Sequence, residues 1–140
     1  MSDAATSLRS APTPRTTPSP RPKYYDLNLL NLPPPGIVSI LHRISGAVLF
    51  LAIPVLLCIF QGSLSSEADF KQVKDFFAAP LTKLAAIGLA YLYAHHFFAG
   101  IRYLLLDLHI GIAKEPSRMS AYIVLVLGLV SALAFGASIW

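Results

Sequence analysis

Three stretches of this chain, residues 44–60, 84–101 and 120–140, contain no Asp, Glu, Lys or Arg. A backbone in hydrocarbon must satisfy its polar groups internally, so such stretches cross a membrane as helices. About 20 residues are needed, at 1.5 Å rise over ~30 Å. The first two runs reach that length only with polar flanks, which therefore lie at or just inside the membrane boundary. The charged fraction of 13% is about half that of a soluble domain, and mean hydropathy is +0.62. The runs do not alternate in polarity, which excludes a transmembrane β-barrel. The expected fold is an all-α membrane protein with three transmembrane helices, at about residues 36–60, 81–106 and 120–140.

The other segments fit this plan. Residues 1–22 are rich in Pro, Ser, Thr and Arg; they read as a disordered tail with no apolar run of the secretory kind, the weaker alternative being an organelle transit peptide. Residues 23–140 form the anchor domain. Tyr24 and Tyr25 suit the membrane interface. The Pro33-Pro34-Pro35-Gly36 run stops the lead-in and opens the first helix, which Pro54 can kink. Residues 67–77, within the loop at 61–83, read as a short surface helix. Trp140 is an interfacial anchor for the third span. Cys58 cannot form an intrachain disulfide or an iron–sulfur site alone and reads as a packing residue.

The net charge of +4 does not indicate nucleic acid, because the basic residues are scattered among tail, loops and helix ends. Topology accounts for them. Arg9, Arg15, Arg21, Lys23, Lys114 and Arg118 flank one membrane face, with Arg43 and Arg102 near it. The opposite loop carries only Lys71, Lys74 and Lys83. This asymmetry puts the N-terminus in the cytoplasm.

Two polar clusters interrupt the spans. His95 and His96 lie deep in the second, where ionisable side chains face a protein interior or a cofactor. Imidazole is a good iron ligand, so a buried haem is the first hypothesis. His96, Gly100, Tyr103 and Asp107 share one helical face; His95, Ala99, Arg102 and Leu106 form a stripe about 100° away. Gly100 leaves room for a flat macrocycle or a close helix. Spacing alone does not choose between the two histidines. In the first span, Ser39, His42, Arg43 and Gly46 fall at i, i+3, i+4 and i+7. The serine and arginine can donate to a carboxylate or a carbonyl oxygen. With the spans antiparallel, both clusters approach the cytoplasmic boundary, and His96 lies ~9 Å deeper than Arg102. Haem propionates reaching toward the arginines would suit that arrangement.

These residues carry a resemblance. Ser39-Ile-Leu-His42-Arg43-Ile-Ser45-Gly46 resembles the S-x-x-H-R-x-S/T-G signature of the cytochrome b subunit of succinate dehydrogenase. His96-x-x-x-Gly100-Ile-Arg102, followed by Asp107, is similar to that family's second signature, and Arg21-Pro22 to its R-P opening. The resemblance covers residues 21–140. It implies half of a heterodimeric, haem-binding helical bundle, a membrane anchor of respiratory complex II. By position, His96 matches the haem b axial ligand and His95 does not. His42 and Arg43 match the haem propionate region, and Ser39 and Arg43 the ubiquinone site. Tyr103 stands where the family often has His, and His109 reads as a loop residue or a substitute for it.

The implied partners are a second hydrophobic anchor subunit, an iron–sulfur subunit and a flavoprotein subunit, in a bacterial inner membrane rather than a mitochondrial one. The chain has no dinucleotide or iron–sulfur motif, so it would take part in succinate:quinone oxidoreduction without being catalytic alone. The alternatives are a haem-free or fumarate-reductase-type anchor, or a small transporter or channel subunit.

Overall fold

A computed structural model describes residues 32–140. The expected tail, the Arg21-Pro22 opening and the paired tyrosines at 24 and 25 lie outside the described residues. Four helices follow in order: α1 Pro34–Ser63, α2 Glu67–Ala78, α3 Pro80–Asp107 and α4 Lys114–Ile139. Three of them, α1, α3 and α4, are long and apolar enough to cross a membrane.

Local chemistry sets the boundaries. Proline opens both α1 and α3 in the first helical turn, where its missing N–H has no intrahelical acceptor to lose. Ala79, held extended before Pro80, separates α2 from α3. The short helix expected at 67–77 is α2, started by Ser66. Its hydroxyl accepts from the Asp69 N–H at 3.1 Å and donates to the Asp69 carboxylate at 2.7 Å, a side-chain N-cap. Pro54 lies inside α1 without ending it.

At the other end of α3, the Ile110 N–H bonds the Leu105 carbonyl and the His109 N–H bonds that of Leu106, both at 2.9 Å. His109 sits between them at φ 62°. This is the Schellman pattern, with histidine in the left-handed position that glycine usually takes. His109 is thus an exposed helix terminator. Gly111, at φ 76°, completes the reversal into α4, which begins at Lys114 rather than near 120.

α3 is the central element, packed against both α1 and α4. The α3–α4 seam is made by small residues. Ala121, Val124, Gly128, Ala132 and Gly136 are the buried positions of α4, a stripe at helical spacing that lets two backbones close in lipid. A Cβ on Gly128 would lie 3.4 Å from the His95 Cα, and one on Gly136 3.1 Å from the Ile87 Cδ1. α1 is covered far less, and its buried residues are Val38 and Ser45. Cys58, expected to pack, is exposed, because this chain does not cover the outer face of α1. At the end of the bundle remote from the His pair, the Lys83 ammonium lies 5.5 Å from the Trp140 ring centroid, a cation–π contact.

The glycine stripe predicts a contrast in stability. Gly128→Leu should cost about 1–3 kcal/mol of packing and lower the thermal transition of the purified assembly. Ala134→Leu, on an exposed face of α4, should leave it nearly unchanged. Equal transitions for the two variants would refute the close seam.

Candidate functional site

The site forms where the first turns of α1 cross the middle of α3. His96 points from α3 toward α1. Its Nδ1 lies 3.1 Å from the His42 carbonyl and 3.2 Å from the Ser45 hydroxyl. The Ser45 hydroxyl donates to the same carbonyl at 3.0 Å. A carbonyl can only accept, so Nδ1 carries the proton. Nε2 is then the lone-pair nitrogen, and it makes no hydrogen bond among the described residues. The half-buried ring stacks on that of His42, with centroids 4.3 Å apart and planes 11° apart.

Two glycines lie at this contact, one on each helix, and the one on α1 gives the ring its space. A Cβ on Gly46 would come within 2.8 Å of the His96 Cε1, closer than carbon atoms can approach, so α1 must carry glycine opposite the imidazole. A Cβ on Gly100 would lie 3.8 Å from the His42 Nε2, an ordinary contact. Tyr103 continues the face, its ring 5.1 Å from that of His42. Its hydroxyl is buried without a partner among the described residues.

The second stripe of α3 faces α4 instead. His95 is 1% exposed and lies against Gly128. The Val38 backbone is its polar neighbour, yet neither ring nitrogen completes a hydrogen bond. Arg102 is also buried. Its Nε donates to the Ser120 hydroxyl at 2.9 Å, and one terminal nitrogen to the Ser117 hydroxyl at 3.0 Å and the Ser117 carbonyl at 3.2 Å. These bonds tie α3 to the first turns of α4. They also correct one expectation: Arg102 turns toward α4 rather than joining Arg43 above the imidazole. Its donors find oxygen acceptors on α4 in a region where an unpaired guanidinium would be costly.

Ser39, His42, Arg43 and Gly46 were expected to share a face by their spacing, and all four lie on α1. The face that meets α3 carries Val38, His42, Ser45 and Gly46. Arg43 is exposed and Ser39 half-buried, one turn apart near the start of α1. The helix is rotated so that its smallest residues meet the imidazole while the guanidinium stays outside. Sequence reasoning quoted Ser45 only as part of a motif and gave it no task. The available signal was a Ser-Gly pair one turn after His42 in an apolar run. Among the described residues there is no group of three or more His, Cys, Asp or Glu side chains able to hold a metal ion. One oriented imidazole with a free Nε2 suits a metal that brings its other ligands with it, as haem iron does.

Comparison with known proteins identifies the family. Residues 17–135 match the family described as succinate dehydrogenase/fumarate reductase transmembrane subunit. The chain is also similar to the succinate dehydrogenase cytochrome b556 subunit of Coxiella burnetii. The two are 35% identical over 121 residues, which is 86% of this chain and 97% of the relative.

The tight approach at Gly46 can be tested in the assembled protein. Gly46→Val should push the His96 ring away from the His42 carbonyl, changing the nitrogen-15 shift of Nδ1 in histidine-labelled material. An unchanged shift would mean the two helices do not meet this closely.

Proposed function

Because the chain belongs to the family of succinate dehydrogenase and fumarate reductase transmembrane subunits, we propose that it is the cytochrome b anchor of a succinate:ubiquinone oxidoreductase. In this reading His96 supplies one axial ligand to haem b, shared with a second anchor subunit. The observation that carries it is the hydrogen bond from His96 Nδ1 to the His42 carbonyl. A ligating imidazole needs its second nitrogen held by an acceptor, which fixes the tautomer and the ring plane. His95, the neighbouring candidate, is enclosed between helices, with the Val38 backbone as its polar neighbour and no hydrogen bond completed to it.

Haem b, when bound, supplies one-electron transfer. The residues of this chain orient and tune. His42 supports His96 through both its carbonyl and its ring and belongs, with Arg43, to the propionate region. The buried Tyr103 hydroxyl beside the His42 ring adds a polar atom free to meet a ligand on the same face. Ser39 and Arg43 serve the ubiquinone site: near the start of α1 they can donate to quinone oxygens and stabilise the charge that develops on reduction. Electrons come from iron–sulfur and flavoprotein subunits on separate chains. The protein is a multi-pass membrane protein; its membrane in this reading is a bacterial inner membrane, and the Lys and Arg distribution supports an N-terminus in the cytoplasm.

In the co-expressed complex, His96→Ala should abolish or strongly alter the reduced-minus-oxidised b-type spectrum. His95→Ala should keep that spectrum while losing stability, about 1–3 kcal/mol for a trimmed core residue. The reverse pattern would move the ligand to His95.

Ser39→Ala and Arg43→Ala should each depress succinate–ubiquinone turnover ~10²-fold, as expected when a donor to a developing charge is lost. Succinate oxidation by a soluble artificial acceptor should stay near normal. Equal loss in both assays would remove these residues from quinone binding and indicate failed assembly.

A further inference from the structure

We infer that Ser45 is a positioning residue for His96, and that its hydroxyl tunes the electron-donating strength of the ligand nitrogen. The inference rests on the reading of His96 as the haem ligand and adds a residue that neither the spacing nor the family signature had given a task.

Ser45 is fully buried. Its oxygen closes a triangle with the His42 carbonyl at 3.0 Å and the His96 Nδ1 at 3.2 Å, whose third side, from Nδ1 to the carbonyl, is 3.1 Å. The hydroxyl proton goes to the carbonyl, so a lone pair on the Ser45 oxygen faces the imidazole N–H. The Nδ1 proton is thereby shared between two acceptors. Because the oxygen is out of reach of solvent, water cannot replace it. Gly46 gives the ring its space, and the serine before it supplies the second acceptor.

Drawing the Nδ1 proton toward acceptors gives the imidazole more anionic character and makes Nε2 a stronger donor, which favours the ferric over the ferrous state. Alanine at this position fits the same space but leaves a single acceptor. The ferric-to-ferrous equilibrium should then fall by about threefold to tenfold, the upper limit being ~59 mV in midpoint potential for a one-electron couple. The midpoint therefore rises. Cysteine, similar in size to serine and a poor hydrogen-bonding group, should behave like alanine. Threonine, which keeps the hydroxyl, should return the midpoint toward the wild-type value.

The test is a redox titration of the b-type haem in the intact co-expressed complex, for wild type, Ser45→Ala, Ser45→Cys, Ser45→Thr and His96→Ala, with the haem-to-flavin ratio measured on each. A raised midpoint in the alanine and cysteine variants, recovered in the threonine variant, is the expected result. Loss of haem from the alanine variant alone, with the threonine variant retaining it, gives the hydroxyl the same role. A wild-type midpoint in both Ser45→Ala and Ser45→Cys overturns the inference and leaves His96 ligation standing. So does an equal change in alanine and threonine variants. Full haem content in His96→Ala overturns the ligation reading, and this inference with it.

Discussion

The hydrogen bond between the His96 imidazole and the His42 carbonyl is the contact on which the arrangement of the helices depends. In hydrocarbon a ring N–H without an acceptor is costly, and no water is at hand to relieve it. The proton on Nδ1 can be satisfied only if α1 comes close enough to offer a backbone oxygen. That requirement accounts for Gly46, where any larger residue would push the ring aside, and for the rotation of α1 that leaves Arg43 outside. It also leaves Nε2 with a lone pair and no hydrogen bond among the described residues.

α3 carries two polar systems on adjacent faces and keeps them apart. Toward α1 it presents His96, Gly100 and Tyr103; toward α4 it presents His95, Ala99 and Arg102. The first face is half-open, with stacked rings and an unengaged nitrogen. The second is closed by small residues and by the bonds from Arg102 to Ser117 and Ser120. One face is built to receive something and the other to hold the helix in place. Two adjacent histidines in one sequence thus have different environments, because a helix turns about 100° between them.

The fold was legible in the sequence because the bilayer imposes a length and a polarity that three uncharged runs satisfy. The short α2 helix was readable too, as a stretch at 67–77 within the loop, although its Ser66 cap emerged only in the structure. The division of α3 into two faces followed from helical periodicity. What spacing did not convey was which neighbour each face would meet. Arg102 was expected beside Arg43; it lies on the α4 side because three serine oxygen contacts are offered there. Ser39 and Arg43 drew attention as polar residues at a helix start, whereas the contact with His96 runs through Ser45 and Gly46, whose importance lies in being small. Small residues leave a weak mark in a sequence because what they contribute is room, and room has meaning only once the opposing helix is known.

The tight turn at His109 and Gly111 bears on how such a chain assembles. α3 and α4 are neighbours in sequence, joined by a few residues, and their seam is the most extensive in the molecule. A hairpin of this kind closes at little entropic expense. α1 is separated from α3 by α2 and is held by a smaller seam centred on one imidazole. Local contacts favour the hairpin as the first unit to form and α1 as the later arrival. The oriented imidazole then exists only after α1 has docked. On the proposed reading of His96 as a haem ligand, uptake of the cofactor would follow completed packing, and maturation of the site and quality control of the fold would coincide at a single side chain.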